Sequence, residues 1–187
     1  MKQRCLWAVK HEIEQEYHDH EWGIPLHDEQ KLFEFLCLEG AQAGLSWLTI
    51  LQKRENYRQA FDQFEVQKVA QYNQQKVEEL LKNEGIVRNK LKVNAFISNA
   101  KAFIAIQEEF GSFDAFIWRF TENKTIQNNW KAPTDIPATT PLSEKMSKVL
   151  KKKGFKFVGP TICYALMQAI GMVNDHTTDC FRYDKLK

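Results

Sequence analysis

The 187-residue sequence contains no run of about 18 apolar residues, the minimum for a membrane span. Its first segment, MKQRCLWAVKHEIEQEYHDHEWG, lacks the apolar core of a secretory signal. A soluble, cytoplasmic chain with no membrane contact is therefore expected. Cysteine is scarce: Cys5, Cys37, Cys163 and Cys180 are too few for a disulfide scaffold of this length. In a cytosolic chain, cysteines near histidines point to metal or catalysis before cross-linking. Charge of one sign is lacking as well, because a net charge of +2 does not by itself mark a nucleic-acid binder. No internal repeat, low-complexity tract or convincing strand pair is visible, which argues against solenoids and β-sandwiches.

What is present suits one globular domain over 1–187, with 43% hydrophobic and 12% aromatic residues to build a core. Helical periodicity dominates. LFEFLCLEGAQ (32–42) follows Asp28, a candidate N-cap, and SWLTILQKRENYRQAF (46–61) starts on Ser46. KVEELLKN (76–83) is short and amphipathic. LKVNAFISNAKAFIAIQEEF (91–110) carries apolar residues at 93, 96, 97, 100, 103 and 104 and stops at Gly111; SFDAFIWRF (112–120) follows. Between 123 and 141 the pattern collapses into a proline-containing stretch that reads as an ordered surface loop. Helices resume at 142–153 and 160–171, so the expected class is all-α.

NDHTTDC (174–180) places His176 and Cys180 four apart, a spacing that on a helical turn would put both on one face, able to grip one ion. Two further ligands would close a tetrahedral site, from among Cys5, Cys37, Cys163, His11, His18, His20 and His27. Cys37 and Cys163 lie on apolar helical stretches, where a free cysteine is most often a small hydrophobe. Cys5 and His18 lie in polar stretches, where burial is not expected. A Cys5–His18–His176–Cys180 set would staple the first turn of the chain to the last, but the residues alone equally fit four unrelated side chains.

KKKGFKFVGPTICYALMQAIG (151–171) reads as a basic helix end, a tight hairpin bounded by Gly154 and Gly159, and a new apolar helix opened by Pro160. The free amides at that helix start form an anion site that a DNA phosphate fits, with Lys151, Lys152, Lys153 and Lys156 adding charge. An ordinary helix connection with solvated lysines explains the same pattern.

FVGPTICYAL resembles the helix-hairpin-helix of base-excision DNA glycosylases. RCLWA (4–8), YHDHEWGIPLHDEQKLFEFLCLEGAQAGLSW (17–47), KRENYRQAF (53–61), GIVRNKLKV (85–93) and KKKGFKFVGPTICYALMQAIGMVNDH (151–176) resemble one branch, the 3-methyladenine DNA glycosylase I family. The resemblance spans nearly the whole chain. It implies an all-α helix-hairpin-helix glycosylase fold, with the hairpin motif at about 142–171. The implied activity is monofunctional hydrolysis of the glycosidic bond of 3-methyladenine in alkylated double-stranded DNA, by base flipping. It also implies a structural Zn²⁺ held by Cys5, His18, His176 and Cys180, stapling 5–18 to 176–180.

Alkylation at N3 leaves adenine cationic, and a site for it needs aromatic faces and an acceptor for the exocyclic amine. By resemblance, Glu39 accepts from the base edge and is the catalytic residue, Tyr17 and Trp47 sandwich the ring, and Trp7 and Trp22 add walls. Taken alone, Glu39 reads as a helix-end carboxylate and Trp47 as core; EGAQAGLSW nevertheless puts a carboxylate, small residues and an indole within nine residues. Gln42, Gly44 and Leu45 are implied at a turn that wedges into the duplex, and Lys156, Gly159 and Thr161 at the hairpin's DNA contact. The superfamily's aspartate aligns with Asn174, Asp175 lies one residue off, and the lysine of bifunctional relatives aligns with Thr161. The resemblance therefore implies a reaction that relies on an activated leaving group, with Asn174→Ala costing less than about tenfold and Glu39→Ala more. A zinc-stapled binder without catalysis, an enzyme with a shifted base preference and a helical module with no nucleic-acid role are the competing readings. Nothing in the chain signals an oligomer, so a monomer is the default.

Overall fold

A computed structural model describes residues 2–187. Among the described residues nine α-helices run in chain order: α1 Glu12–His20, α2 Glu29–Ala41, α3 Trp47–Ala60, α4 Val66–Val69, α5 Gln74–Leu80, α6 Lys90–Phe110, α7 Phe113–Trp118, α8 Pro141–Lys152 and α9 Pro160–Ala169. Six of them begin on a side-chain cap, a local device that fixes each start without tertiary help: Asp28, Ser46, Asn73, Asn89, Ser112 and Thr140 each accept from a backbone amide three residues on. α9 has no such cap; Gly159 precedes it and Pro160 opens it.

The core gathers around α6, whose Val93, Phe96, Ile97, Ala100 and Phe103 are buried. Ile106 is buried where the expected stripe ended on Ile104, since seven positions cover slightly less than two turns and the face drifts. α2, buried from Leu32 to Ala41, lies against α6 and α9. No helix among the described residues is long and apolar enough to cross a membrane.

Helix α1 was not anticipated, and two local expectations are corrected. α1 falls in a stretch with no apolar stripe, because the residues it buries are Tyr17, His18 and Asp19, of which only Tyr17 joins the hydrophobic core. His176 and Cys180 do not lie on a helical turn. They sit in an irregular tail held by the Cys180 amide donating to Thr177 O. The all-α reading also gains a minimal parallel sheet, β1 Ile126–Gln127 with β2 Val173–Asn174. Two bridges are too few to leave a period-2 pattern, and they tie the 123–141 loop to the tail.

α9 ends against the segment that follows α1: the Gly23 amide donates to Ala169 O and the Leu26 amide to Ile170 O. Gly171 makes this approach possible. Its φ is +78°, and a Cβ there would lie 2.5 Å from Pro25 N and 2.6 Å from Ile24 C. Gly171→Ala is expected to cost about 3 kcal/mol or more, from left-handed strain plus overpacking. A fall in the urea unfolding midpoint measures this; an unchanged midpoint shows that 23–25 yields freely.

Candidate active site and metal centre

Four α-helices and three further segments line a cavity of about 400 Å³. Glu14 and Tyr17 reach it from α1, Trp7 and Trp22 from the segments flanking α1, Glu39 and Gln42 from the end of α2. Trp47 comes from the first turn of α3, Ala165 and Gln168 from α9, and Pro133 and Ile136 from the long loop. The five residues expected to bind a base thus converge. Their arrangement differs from the expected sandwich. The Tyr17 and Trp47 rings are 5.4 Å apart and inclined at 49°, whereas a base between two rings needs about twice a 3.5 Å contact. They form adjoining walls. Trp7 and Trp22 meet edge to face at 5.1 Å.

Three polar groups in this cavity have no protein partner. The Tyr17 hydroxyl and Trp47 Nε1 are buried without a hydrogen bond among the described residues. Glu39 is 4% exposed, and burial alone, with no hydrogen bond to offset it, pushes its carboxyl up to about 8. Burial, and then the nearby Glu39 and Glu21 charges, push the Tyr17 phenol well above its usual range. Buried polar atoms are normally satisfied, so two orphans on cavity-lining residues, with a Glu39 carboxyl that has no hydrogen bond, suit a polar ligand.

The α2–α3 turn carries Gln42, Gly44 and Leu45, with Leu45 38% exposed. Lys92 of α6 anchors it: the buried ammonium donates to Ala41 O at 2.9 Å and Ala43 O at 2.6 Å. Seven residues on, Asn99 clamps the hairpin, donating to Lys156 O at 3.0 Å and accepting from Lys156 N at 2.7 Å. Lys156 and Thr161 are exposed. Only one of the two hairpin glycines has a conformation that requires it: Gly154 has φ +94°, but the second left-handed position is Phe157, at +54°. Gly159 has φ −62°, and a Cβ on it would meet no protein atom within 4 Å.

Asn174 and Asp175 do not line the cavity. Asn174 is fully buried and donates to Gln127 Oε1 and Tyr183 O. Asp175 accepts from Asn128, Trp130, Tyr164 and Gln168 at 2.5–2.9 Å.

Cys5, His18, His176 and Cys180 meet in a buried cluster whose donor atoms lie within 4.8 Å of one another, able to hold a metal ion. Burial of Cys5 and His18 overturns the expectation for their polar stretches; the cluster itself buries them. His18 Nδ1 donates to Asp19 at 2.9 Å, which Arg4 grips through two further hydrogen bonds, so Nε2 faces the thiols. Burial opposes the Asp19 charge, yet Arg4 and His18 hold its carboxyl down at about 2. His176 Nε2 donates to Trp22 O at 3.2 Å, which turns Nδ1 inward. Without an ion, Cys5, His176 and His18 draw the Cys180 thiol below its usual range against the cost of burial, and Cys180 and burial push the Cys5 thiol above it. Ligands oriented by outer hydrogen bonds are the mark of a metal site.

The methyladenine glycosylase pattern matches residues 7–183. The chain belongs to the methyladenine glycosylase family. It is 46% identical over 180 residues to the DNA-3-methyladenine glycosylase of Haemophilus influenzae, covering 96% of this chain and 97% of that one. A crystal structure of 3-methyladenine DNA glycosylase I superposes with a TM-score of 0.94 at 50% identity, covering 96% and 98% of the two chains. A point variant of 3-methyladenine DNA glycosylase I in complex with 3-methyladenine superposes with a TM-score of 0.93 at 36% identity, covering 96% and 97%.

Sequence reasoning missed Glu14, Gln168, Ala165, Pro133 and Ile136 as cavity lining, and Lys92 and Asn99 as anchors. A lysine inside the apolar stripe of α6 was the one available signal. The raised Glu39 value sets a stability test. From an ordinary value of 4.5 up to about 8, the folded chain keeps a proton that the unfolded chain has lost, so stability falls as pH rises through that window. Glu39→Gln has no such linkage. Its stability relative to the parent is expected to grow by up to about 1.4 kcal/mol per pH unit between roughly pH 5 and 8. Urea melts at pH 5, 6.5 and 8 check this; a constant difference refutes a neutral buried carboxyl.

Proposed function

We propose that this methyladenine glycosylase takes a 3-methyladenine flipped out of double-stranded DNA into the aromatic cavity and hydrolyses its glycosidic bond. The bond to C1′ breaks with its electron pair leaving on the purine, water supplies the hydroxyl at C1′, and an abasic site and a proton remain. The observation that carries this reading is the unpartnered, buried Glu39 beside the orphaned Tyr17 hydroxyl and Trp47 Nε1. An acceptor and two donors between aromatic walls suit a purine edge. A cationic purine departs more readily than a neutral one, and a carboxylate against it stabilises the bound cation. Neither Asn174 nor Asp175 supplies a free carboxylate, consistent with a reaction that depends on the activated leaving group.

The duplex would lie across the Gln42–Leu45 turn and the hairpin. Leu45 would fill the gap left by the flipped base, and the uncapped start of α9, with Lys156, Gly159 and Thr161, would take a phosphate. The open space over Gly159 leaves room for a close backbone approach. One chain carries the whole catalytic unit.

Release of free base from methylated duplex, resolved by chromatography, tests the activity. Glu39→Ala is expected to lose about a hundredfold or more in rate, and Asn174→Ala less than about tenfold. Near-normal release by Glu39→Ala overturns the assignment.

The cluster fits Zn²⁺ as a structural ion. Tetrahedral zinc, at about 2.3 Å from sulfur and 2.0–2.1 Å from nitrogen, sets neighbouring sulfur and nitrogen about 3.5 Å apart. The three closest S···N separations here are 3.4, 3.5 and 3.6 Å. Two thiolates and two neutral imidazoles balance the ion's charge. Elemental analysis is expected to find about one zinc per chain, and Cys180→Ser to lower the melting temperature by roughly 10 °C. A metal-free chain that melts normally excludes the staple.

A further inference from the structure

The cavity lining contains no lysine, arginine or histidine, but it contains a second carboxylate, Glu14. Glu14 lies one turn before Tyr17 on α1, so both project from one face, and it is half-buried at the rim while Glu39 lies deep. Three carboxylates that are half-buried or buried are answered by arginines, whereas on α1 the exposed Glu12 has no ion pair among the described residues and the exposed Glu16 meets only His20. Asp19 pairs with Arg4, Glu21 with Arg54 and Glu34 with Arg58, at 2.7–2.8 Å. No such ion pair forms at Glu14 among the described residues. With no cation among the described residues beside it, the Glu14 carboxylate at the mouth of an apolar cavity leaves its charge for a cationic ligand to meet.

We propose that Glu14 is a specificity-determining residue, whose fixed negative charge at the cavity rim makes the site prefer a cationic base over a neutral base of the same shape. The inference rests on the cavity being the base site. The two carboxylates divide the work by depth. Glu39, held up to about 8 by burial, is uncharged in the empty cavity at neutral pH and recognises the base edge at contact distance. Attraction before contact therefore falls to Glu14, while the faces of Trp7, Tyr17, Trp22 and Trp47 add short-range cation–π attraction once the base is inside. Carboxylate charge at the rim also opposes the DNA phosphates, so its presence weakens non-specific contact while favouring the lesion.

Two duplexes separate charge from shape. One carries 3-methyladenine, cationic in DNA. The other carries 3-deaza-3-methyladenine, in which carbon replaces N3 and the base is neutral. Half-saturation for single-turnover base release is measured on the first and the dissociation constant on the second, for the parent, Glu14→Gln, Glu14→Asp and Glu39→Gln. Glu14→Gln is expected to narrow the preference for the cationic duplex by about fivefold or more, with binding of the neutral duplex unchanged or tighter. Glu14→Asp is expected to retain most of the preference. An unchanged ratio in Glu14→Gln, including equal weakening on both duplexes, overturns the role of Glu14. If Glu39→Gln loses base release at the same time, the base-site reading survives that failure. If neither variant alters either duplex, both readings fall together.

Discussion

The joining of the chain's two ends by Cys5, His18, His176 and Cys180 is the constraint on which the site depends. Without it, the segment bearing Trp7 and the tail beyond α9 would be ends free to fray. With it, three cavity walls are tied to the cluster. Trp7 packs edge-on against His18 at 5.4 Å, Trp22 packs against His176 at 4.7 Å and accepts from it, and Tyr17 precedes His18 on α1. The same contacts bury the four donors, so cluster and cavity stabilise each other.

α6 supplies a second constraint, of a different kind. Lys92 and Asn99 lie seven residues apart and reach the backbone of two separate loops, the α2–α3 turn and the hairpin. Backbone hydrogen bonds from buried side chains fix a loop's position without dictating its exposed residues. The 3.2 Å that would separate a Cβ on Gly40 from Phe157 shows how closely the hairpin approaches α2. The spacing between the exposed Leu45 and the start of α9 is thus set by one rigid helix.

The charged side chains that line the cavity are two carboxylates, Glu14 and Glu39. Burying Glu39 with no partner is costly in the free protein and is relieved by protonation; a cationic base reverses the balance by restoring a partner to the ionised form. Stability given up at Glu39 is offset by the aromatic packing around it and by the ends held together behind it.

Most of the helices were legible in the sequence because their signals are local: the caps at Asp28 and Ser46 and the apolar stripe along α6 arise from residues three or four apart. The metal-ligand quartet and the base-binding residues were legible only through resemblance to a family, since no spacing rule joins Cys5 to His176. Tertiary structure alone decided the rest. It made α1 a helix without an apolar face, because that face meets a metal site and a ligand cavity. It set Tyr17 and Trp47 as adjoining walls, put the left-handed turn of the hairpin on Phe157, and brought Glu14, Gln168 and the 123–141 loop to one cavity. Each of these depends on contacts between residues tens of positions apart, and such contacts leave no periodicity for the sequence to display.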